Sequence, residues 1–434
     1  MLKCLNPNRM PLAWQPDFWP EAAQFELIDQ SATERRTPTH RANGESMIPS
    51  DSALSSAAHW QGRFGDRPFL SLLDQSSSLP QGPSICMKKT GILEFRYGHS
   101  ESFAKRLRRK GSYTINLGDW IQSLAVQRLV ESLGPAGGDI VKIDRDSLPA
   151  YQGPPVRLIM NACFLEHCFP IPPQVEPVFI GFQTSSSGLI REYFDYFKAH
   201  QPIGCRDTAT RNMFRQQGVE AYITGCLTMT LPLRNERPAV PKSFFIGGEG
   251  PGEMPHSLKR QTPSHVARSS LYQHQREPVT SLPLDDKDAL RATELAAGLL
   301  ATYRQEATLV VTPLLHAAGP SLAMGIPVIL ARKDERDRFT AINRLLPVHT
   351  PGDFDAINWN PACPNIEALK QCLTSLVARA LTGERGPNAE ERRVLADFYD
   401  KQPCVTPELV ASRARQESQS FWRKLPLLRT WFGA

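Results

Sequence analysis

A histidine, an arginine and an aspartate, each near the end of an apolar run, are the side chains of this sequence best suited to handling a small anion. His316 closes the stretch Val310-Val-Thr-Pro-Leu-Leu-His316, in which Thr312 fits a helix N-cap and Pro313 the first helical position. That register sets the imidazole in the first or second turn of a helix at the carboxyl end of a parallel strand. Unpaired N–H groups and the helix dipole favour anions there. A core histidine bonded to a backbone carbonyl fits the same pattern. Arg206, in Gly204-Cys-Arg-Asp-Thr-Ala-Thr210, ends another apolar run, and its planar fork matches a carboxylate or phosphate. Asp207 is then the cap of the following helix; a surface Arg206–Asp207 pair is the alternative. Asn116-Leu-Gly-Asp119 is the third group. Gly118 permits close backbone approach, and Asp119 offers a base or a partner for an acceptor hydroxyl. Simple helix capping by Asn116 or Asp119 accounts for it equally well.

These groups need a scaffold of parallel strands. Apolar runs predict strands over 91–95, 139–143, 156–160, 177–182, 202–205 and 220–224, with helices over 116–132, 189–199 and 207–217. Gly218 is expected to stop the last helix in a left-handed cap. A stretch rich in proline and charge at 233–241 marks a boundary. Beyond it, strands are expected over 243–246, 308–312 and 327–330, and helices over 286–304, 314–324 and 366–381. The chain between 95 and 116, and again up to about Arg276, reads as long loops. Strands alternating with helices give an α/β fold of two doubly wound Rossmann-like domains. That arrangement is similar to the GT-B architecture of many glycosyltransferases. The expected division is an irregular, poorly ordered extension at 1–85, an α/β domain at 86–235, a second at 236–382 carrying His316, and a charged helical tail at 383–434.

Composition narrows the partners. The 434 residues carry 50 Lys and Arg against 44 Asp and Glu, a net +6 that suits anions without marking a nucleic-acid binder. Nine cysteines, scattered and without a CxxC pair, read as reduced thiols and argue against a zinc site. No export signal is visible at the N-terminus, so a cytoplasmic location is expected. Leu309–Ala331 is apolar, but Pro313, Pro320 and Pro327 rule out one spanning helix. Gly248-Glu-Gly-Pro-Gly252 imitates a nucleotide loop with no helix expected directly after it. Two segments are compatible with a peripheral membrane contact: the basic run Lys105–Lys110 and the aromatic, cationic Phe421–Phe432. A solvated loop and docking onto the body, respectively, explain them more simply.

In combination the segments resemble the polysaccharide pyruvyl transferase family. The matching stretches are Asn116-Leu-Gly-Asp-Trp-Ile-Gln122, Ile159-Met-Asn161, Ile203–Thr210, Gly218–Leu231 and Ala307–Ala317, in the family's order. Members move the enolpyruvyl unit of phosphoenolpyruvate onto a sugar diol and leave a pyruvate ketal. The resemblance implies that Arg206 holds the donor and that His316 contacts it and acts as the acid, with Asp119 assisting. It further implies Asn116, Gly118, Asn161 and Thr224 along the acceptor side of the cleft. Phosphoenolpyruvate would be a substrate, with no cofactor and no metal, and the acceptor a sugar or lipid-linked oligosaccharide in exopolysaccharide or cell-surface glycan synthesis. One departure stands out. The family's motif has arginine two residues before the histidine, whereas this chain has Leu314. Arg332, Arg338 or the 105–110 run are candidate substitutes. A nucleotide-sugar glycosyltransferase and a non-catalytic glycan-binding relative are the competing readings.

Overall fold

The computed structural model describes residues 89–98, 101–334 and 337–406, all within one compact unit that begins at Met87. The expected extension at 1–85 and the tail segment Phe421–Phe432 lie outside the described residues. The first half contributes strands β1 (Lys89–Glu94), β2 (Tyr113–Asn116), β3 (Ile140–Asp144), β4 (Val156–Ile159), β5 (Val175–Val178), β6 (Ile203–Cys205) and β7 (Ala221–Ile223). Its helices are α1 (Glu101–Lys110), α2 (Leu117–Ser132), α3 (Ser187–Glu192), α4 (Phe194–Ala199) and α5 (Thr208–Gln216). The second half contributes β8 (Ser243–Gly247), β9 (Ser270–His274), β10 (Arg276–Val279), β11 (Leu309–Thr312), β12 (Val328–Ala331) and β13 (Val348–His349). With them come α6 (His256–Gln261), α7 (Ser264–Arg268), α8 (Asp286–Glu306), α9 (Leu315–Ala323), α10 (Glu367–Leu381) and α11 (Ala389–Tyr399).

Two parallel sheets result, as the unbroken apolar runs demand. One has the order β3-β1-β4-β5, the other β13-β12-β11-β8-β9, and every pairing in both is parallel. The chain after β5 carries the first sheet onward: Phe182 N donates to Gly204 O at 3.0 Å and Arg206 N to Phe182 O at 2.8 Å, bringing the parallel pair β6–β7 to its edge. A third element was not legible in the sequence. β2 and β10 form a two-stranded antiparallel ribbon in which Asn116 faces Arg276, so the two halves share a ladder. α2 packs on α8, whose buried face of Ala289, Ala292, Ala296, Leu300 and Tyr303 is small enough for close approach. Both helices belong to one hydrophobic core. No described helix is long and apolar enough to cross a membrane.

Four local expectations are corrected. The loop expected between 95 and 116 holds α1 and β2. The basic run is thus helical, with Phe103 packed on Tyr97 and Tyr113 at ring-centroid distances of 5.3 and 4.9 Å. The polar stretch before Arg276 holds α6, α7 and β9, because pairing with β8 supplies what local sequence does not. The helix expected over 189–199 breaks at Tyr193, with φ −108° and ψ 34°. Thr312 is not a helix cap: Leu314 holds that position, while Thr312 Oγ1 accepts from Leu314 N at 3.0 Å and donates to Ile246 O at 2.7 Å. Other ends fall as expected, with Asn116 and Asp207 capping α2 and α5 and Gly218 left-handed at φ 77°, while Asp285 caps α8.

Gly181 generates a stability prediction. Its φ is +76°, and a Cβ there would fall 2.0 Å from Asn161 Oδ1, the oxygen that accepts from Leu227 N at 3.1 Å. Gly181→Ala should lower the unfolding free energy by about 2 kcal/mol or more, from left-handed strain plus a broken buried hydrogen bond. A urea-denaturation loss within about 0.5 kcal/mol of the parent would refute this account of the turn.

Candidate functional site

His316 is the second residue of α9, just past the carboxyl end of β11, and is only 6% exposed. Its own dihedrals, φ −88° and ψ 16°, depart from the helix, so the first turn is bent at the histidine. The bend lays the ring against Gly118: a Cβ on that glycine would meet His316 Cβ at 3.1 Å and Nδ1 at 3.2 Å. The other ring nitrogen, Nε2, lies 3.3 Å from Arg206 Nη1. A guanidinium only donates, so Nε2 is the acceptor and the neutral ring carries its proton on Nδ1. Burial first, then the charges of Arg206 and Arg338, hold the imidazole pKa well below its ordinary value, so the ring is neutral at pH 7.

Arg206 emerges from the end of β6 and is 2% exposed. Its Nη1 also donates to Gln122 Oε1 at 2.9 Å, while Nε and Nη2 are buried with no partner among the described residues. Two orphaned donors on a buried cation make up half of an anion site. Asp207, next along the chain, caps α5 through Thr210 N at 2.8 Å instead of pairing at the surface.

Asp119 is engaged by three donors. Its carboxylate accepts from Tyr97 Oη at 2.7 Å, Asn116 Nδ2 at 3.3 Å and Gln122 Nε2 at 3.2 Å. Facing a carboxylate on one side and a guanidinium on the other, the Gln122 amide has only one orientation: Nε2 toward Asp119, Oε1 toward Arg206. Asp119 thus works through Gln122 to fix Arg206. Tyr97, missed in the sequence, is the one non-glycine residue with positive φ among the described residues, at 58°. Strain at a bulky residue is characteristic of functional sites, and here it delivers a buried hydroxyl to Asp119. Gln275 was also missed. Its Nε2 donates to His316 O at 3.1 Å, and its carbonyl accepts from Leu117 N at 3.3 Å. Neither residue stood in a motif, since only the fold brings them to Asp119 and His316.

The remaining candidates divide. Asn116, Gly118, Asp119, Arg206 and His316 come together. Asn161 and Thr224 do not join that group by hydrogen bonds. Asn161 Oδ1 holds the Leu227 amide, and Thr224 Oγ1 is taken up by Gly181 N and the carbonyls of Cys205 and Gly225. The Arg332 guanidinium donates to Pro313 O and to Asp334, and its carbon lies 4.0 Å from the Phe339 ring centroid, propping the β11–α9 turn. Arg338 is an exposed residue, yet crowding around its guanidinium and the Arg206 charge lower its pKa. Arg338 lines two cavities. One, of about 20 Å³, runs past Arg206, Thr228 and Gly319; the other is a cleft of about 1140 Å³ bordered by Gln183, Asp207, Asn343 and Asp353. Leu314 packs on the glycine turn, where a Cβ at Gly252 would fall 2.7 Å from its Cδ2.

One further cluster, Asp146, His167 and Cys168, has ligand atoms within 4.8 Å of one another. Asp146 Oδ1, however, already accepts from Arg145 at 3.0 and 2.7 Å and lies 2.9 Å from His167 Nε2. The Asp146 bond, then Cys168, pushes the His167 pKa up to about 10, and a protonated imidazole opposes a metal ion.

Residues 173–331 match the model of the polysaccharide pyruvyl transferase family, a span under half of the chain that includes Arg206, Thr224, Leu314 and His316. The resemblance read from the motifs is thereby shown over that span, and the family is one of transferases. No curated protein matches the chain.

Two measurements check this geometry. Gln122→Leu leaves a buried guanidinium N–H without its acceptor and should cost about 1.5–3 kcal/mol in urea unfolding; an unchanged midpoint would contradict the tether. A histidine whose folded pKa is depressed stabilises the fold above the unfolded value of about 6.5, because below that the unfolded chain gains the proton first. The stability difference between the parent and His316→Gln should therefore shrink as pH falls from 7 to 5. A pH-independent difference would show that His316 is not buried neutral.

Proposed function

We propose that the protein transfers the enolpyruvyl unit of phosphoenolpyruvate to two hydroxyls of a sugar, forming a pyruvate ketal and releasing phosphate. The observation that carries the reading is the buried Arg206 guanidinium, two of its donors unpartnered, held against a neutral His316. The family match over both residues supports it. A cation this deeply buried is costly unless an anion completes it. A donor with two anionic ends meets that need, with Arg206 on one end.

The chemistry follows from charge. In the free protein Arg206 occupies the Nε2 lone pair and the positive field keeps His316 unprotonated. Donor anions neutralise that field and draw the guanidinium away, so that Nε2 takes up a proton. His316 then delivers it to the methylene carbon of the donor. A sugar hydroxyl adds to the cationic C2 carbon, phosphate leaves with the bridging oxygen, and a second hydroxyl closes the ketal; the hydroxyl protons return to histidine and phosphate. The cleft of about 1140 Å³ beyond Arg338 has room for an oligosaccharide. Its unpartnered buried oxygens, Gln183 Oε1, Asp207 Oδ2 and Asn343 Oδ1, are acceptors suited to sugar hydroxyls. Residues 86–235 and 236–382 serve in this reading as two Rossmann-like halves arranged as in GT-B enzymes, with Arg206 from one meeting His316 from the other. Exopolysaccharide or cell-surface glycan synthesis at the cytoplasmic side is the setting we infer.

Leu314 favours one second reading, a glycan-binding relative without turnover. Phosphate release from phosphoenolpyruvate in the presence of pNP-glycosides or lipid-linked saccharides, with mass detection of a pyruvyl ketal, decides between them. Arg206→Ala should lower kcat/KM by about 10–150-fold, the worth of a charged hydrogen bond. His316→Ala should lower it by about 10²–10⁴-fold. Full activity in both variants would refute the assignment. Donor binding should also take up a proton near pH 7, read as a calorimetric heat that changes with buffer ionisation enthalpy. A buffer-independent heat would remove His316 as the acid.

A further inference from the structure

We propose that Arg276 supplies the positive charge missing at Leu314, completing the anion site for the donor from strand β10. The inference rests on the reading above, in which Arg206 and His316 hold an anionic donor. The β2–β10 ribbon sets Arg276 directly opposite Asn116, the residue whose side chain caps α2 beside Gly118 and His316. The preceding residue, Gln275, is fixed on three sides: its N donates to Gly247 O at 2.9 Å, its carbonyl accepts from Leu117 N, and its amide donates to His316 O. The backbone that carries Arg276 is therefore tied to the same histidine.

Its guanidinium leans over the glycine turn after β8. A Cβ at Gly248 would meet Leu314 Cδ2 at 3.2 Å and Arg276 Nε at 3.7 Å, so the two side chains flank a single point. An arginine at position 314 starts from beside that point; Arg276 reaches it from the facing strand. Arg276 is half-buried, and no carboxylate pairs with it among the described residues. Arg332, by contrast, has its guanidinium engaged by Pro313 O and Asp334, and Arg338 stands next to Arg206 beside the large cleft. Leu314 is the N-cap of the nine-residue α9 and has no side-chain acceptor for the free N–H groups of the first turn. A guanidinium without a carboxylate partner among the described residues, reaching the Leu314 side chain at the start of α9, offers a phosphate or carboxylate its second anchor. The charge thus stays in the site while its carrier moves from the helix cap to the ribbon.

Calorimetric titration of the full chain with phosphoenolpyruvate tests this, using Arg276→Ala, Arg276→Lys and the exchange Leu314→Arg with Arg276→Ala. Arg276→Ala should weaken binding at least tenfold with an unchanged thermal midpoint. Arg276→Lys should keep part of the affinity, and the exchange should regain at least part of what the alanine variant loses. Affinity within twofold of the parent in Arg276→Ala would overturn the inference. So would a loss that neither lysine nor the exchange restores. Binding lost in Arg206→Ala but kept in Arg276→Ala would defeat this inference alone, whereas a parent protein that binds no phosphoenolpyruvate would defeat the functional reading with it.

Discussion

Everything at this site depends on keeping one guanidinium out of water. Arg206 has lost most of its hydration, and the Gln122 carbonyl and His316 Nε2 return only part of it. An ion buried with incomplete compensation costs several kcal/mol, so the surrounding structure must be rigid enough to hold it. That explains why Gln122 is itself oriented by Asp119, and Asp119 by a strained Tyr97. Each residue removes one freedom from the next. The depressed pKa of His316 belongs to the same arrangement, because the cation that lowers it is the group the histidine faces.

The sequence disclosed the two ends of this chain of contacts and hid its middle. His316 and Arg206 were legible because strand ends followed by helices in parallel sheets collect ligand groups, whatever the details. Asp119 was legible as a polar residue at a helix start, but nothing in the spacing reveals the three donors its carboxylate accepts from. Gln122 closes a matching stretch, yet its spacing does not disclose a contact with Arg206; Tyr97 and Gln275 have no signature at all, since glutamine and tyrosine occur everywhere in helices and loops. Asn161 and Thr224 are bound up in holding turns, where asparagine and threonine side chains replace missing backbone partners.

Of the fold, the strands with an apolar run at their centre were read from the sequence, whereas β2, β9 and β10, which lack one, were not. β11, Leu-Val-Val-Thr, is buried at every position, whereas β9, Ser-Leu-Tyr-Gln-His, is half-buried throughout and forms only because β8 offers a free edge. The same holds for β2 and β10, whose partners lie some 160 residues away in the chain and therefore leave no local trace. Leu314 was visible as an anomaly from the sequence. What fills its place was not, because the answer lies on a strand that tertiary pairing alone creates.

That ribbon has a mechanical consequence. Antiparallel backbone hydrogen bonds resist stretching, so where β2 meets β10 the two sheets are riveted and cannot slide apart. The backbone that carries Asn116 beside Gly118 and His316 is therefore held by both halves of the chain at once.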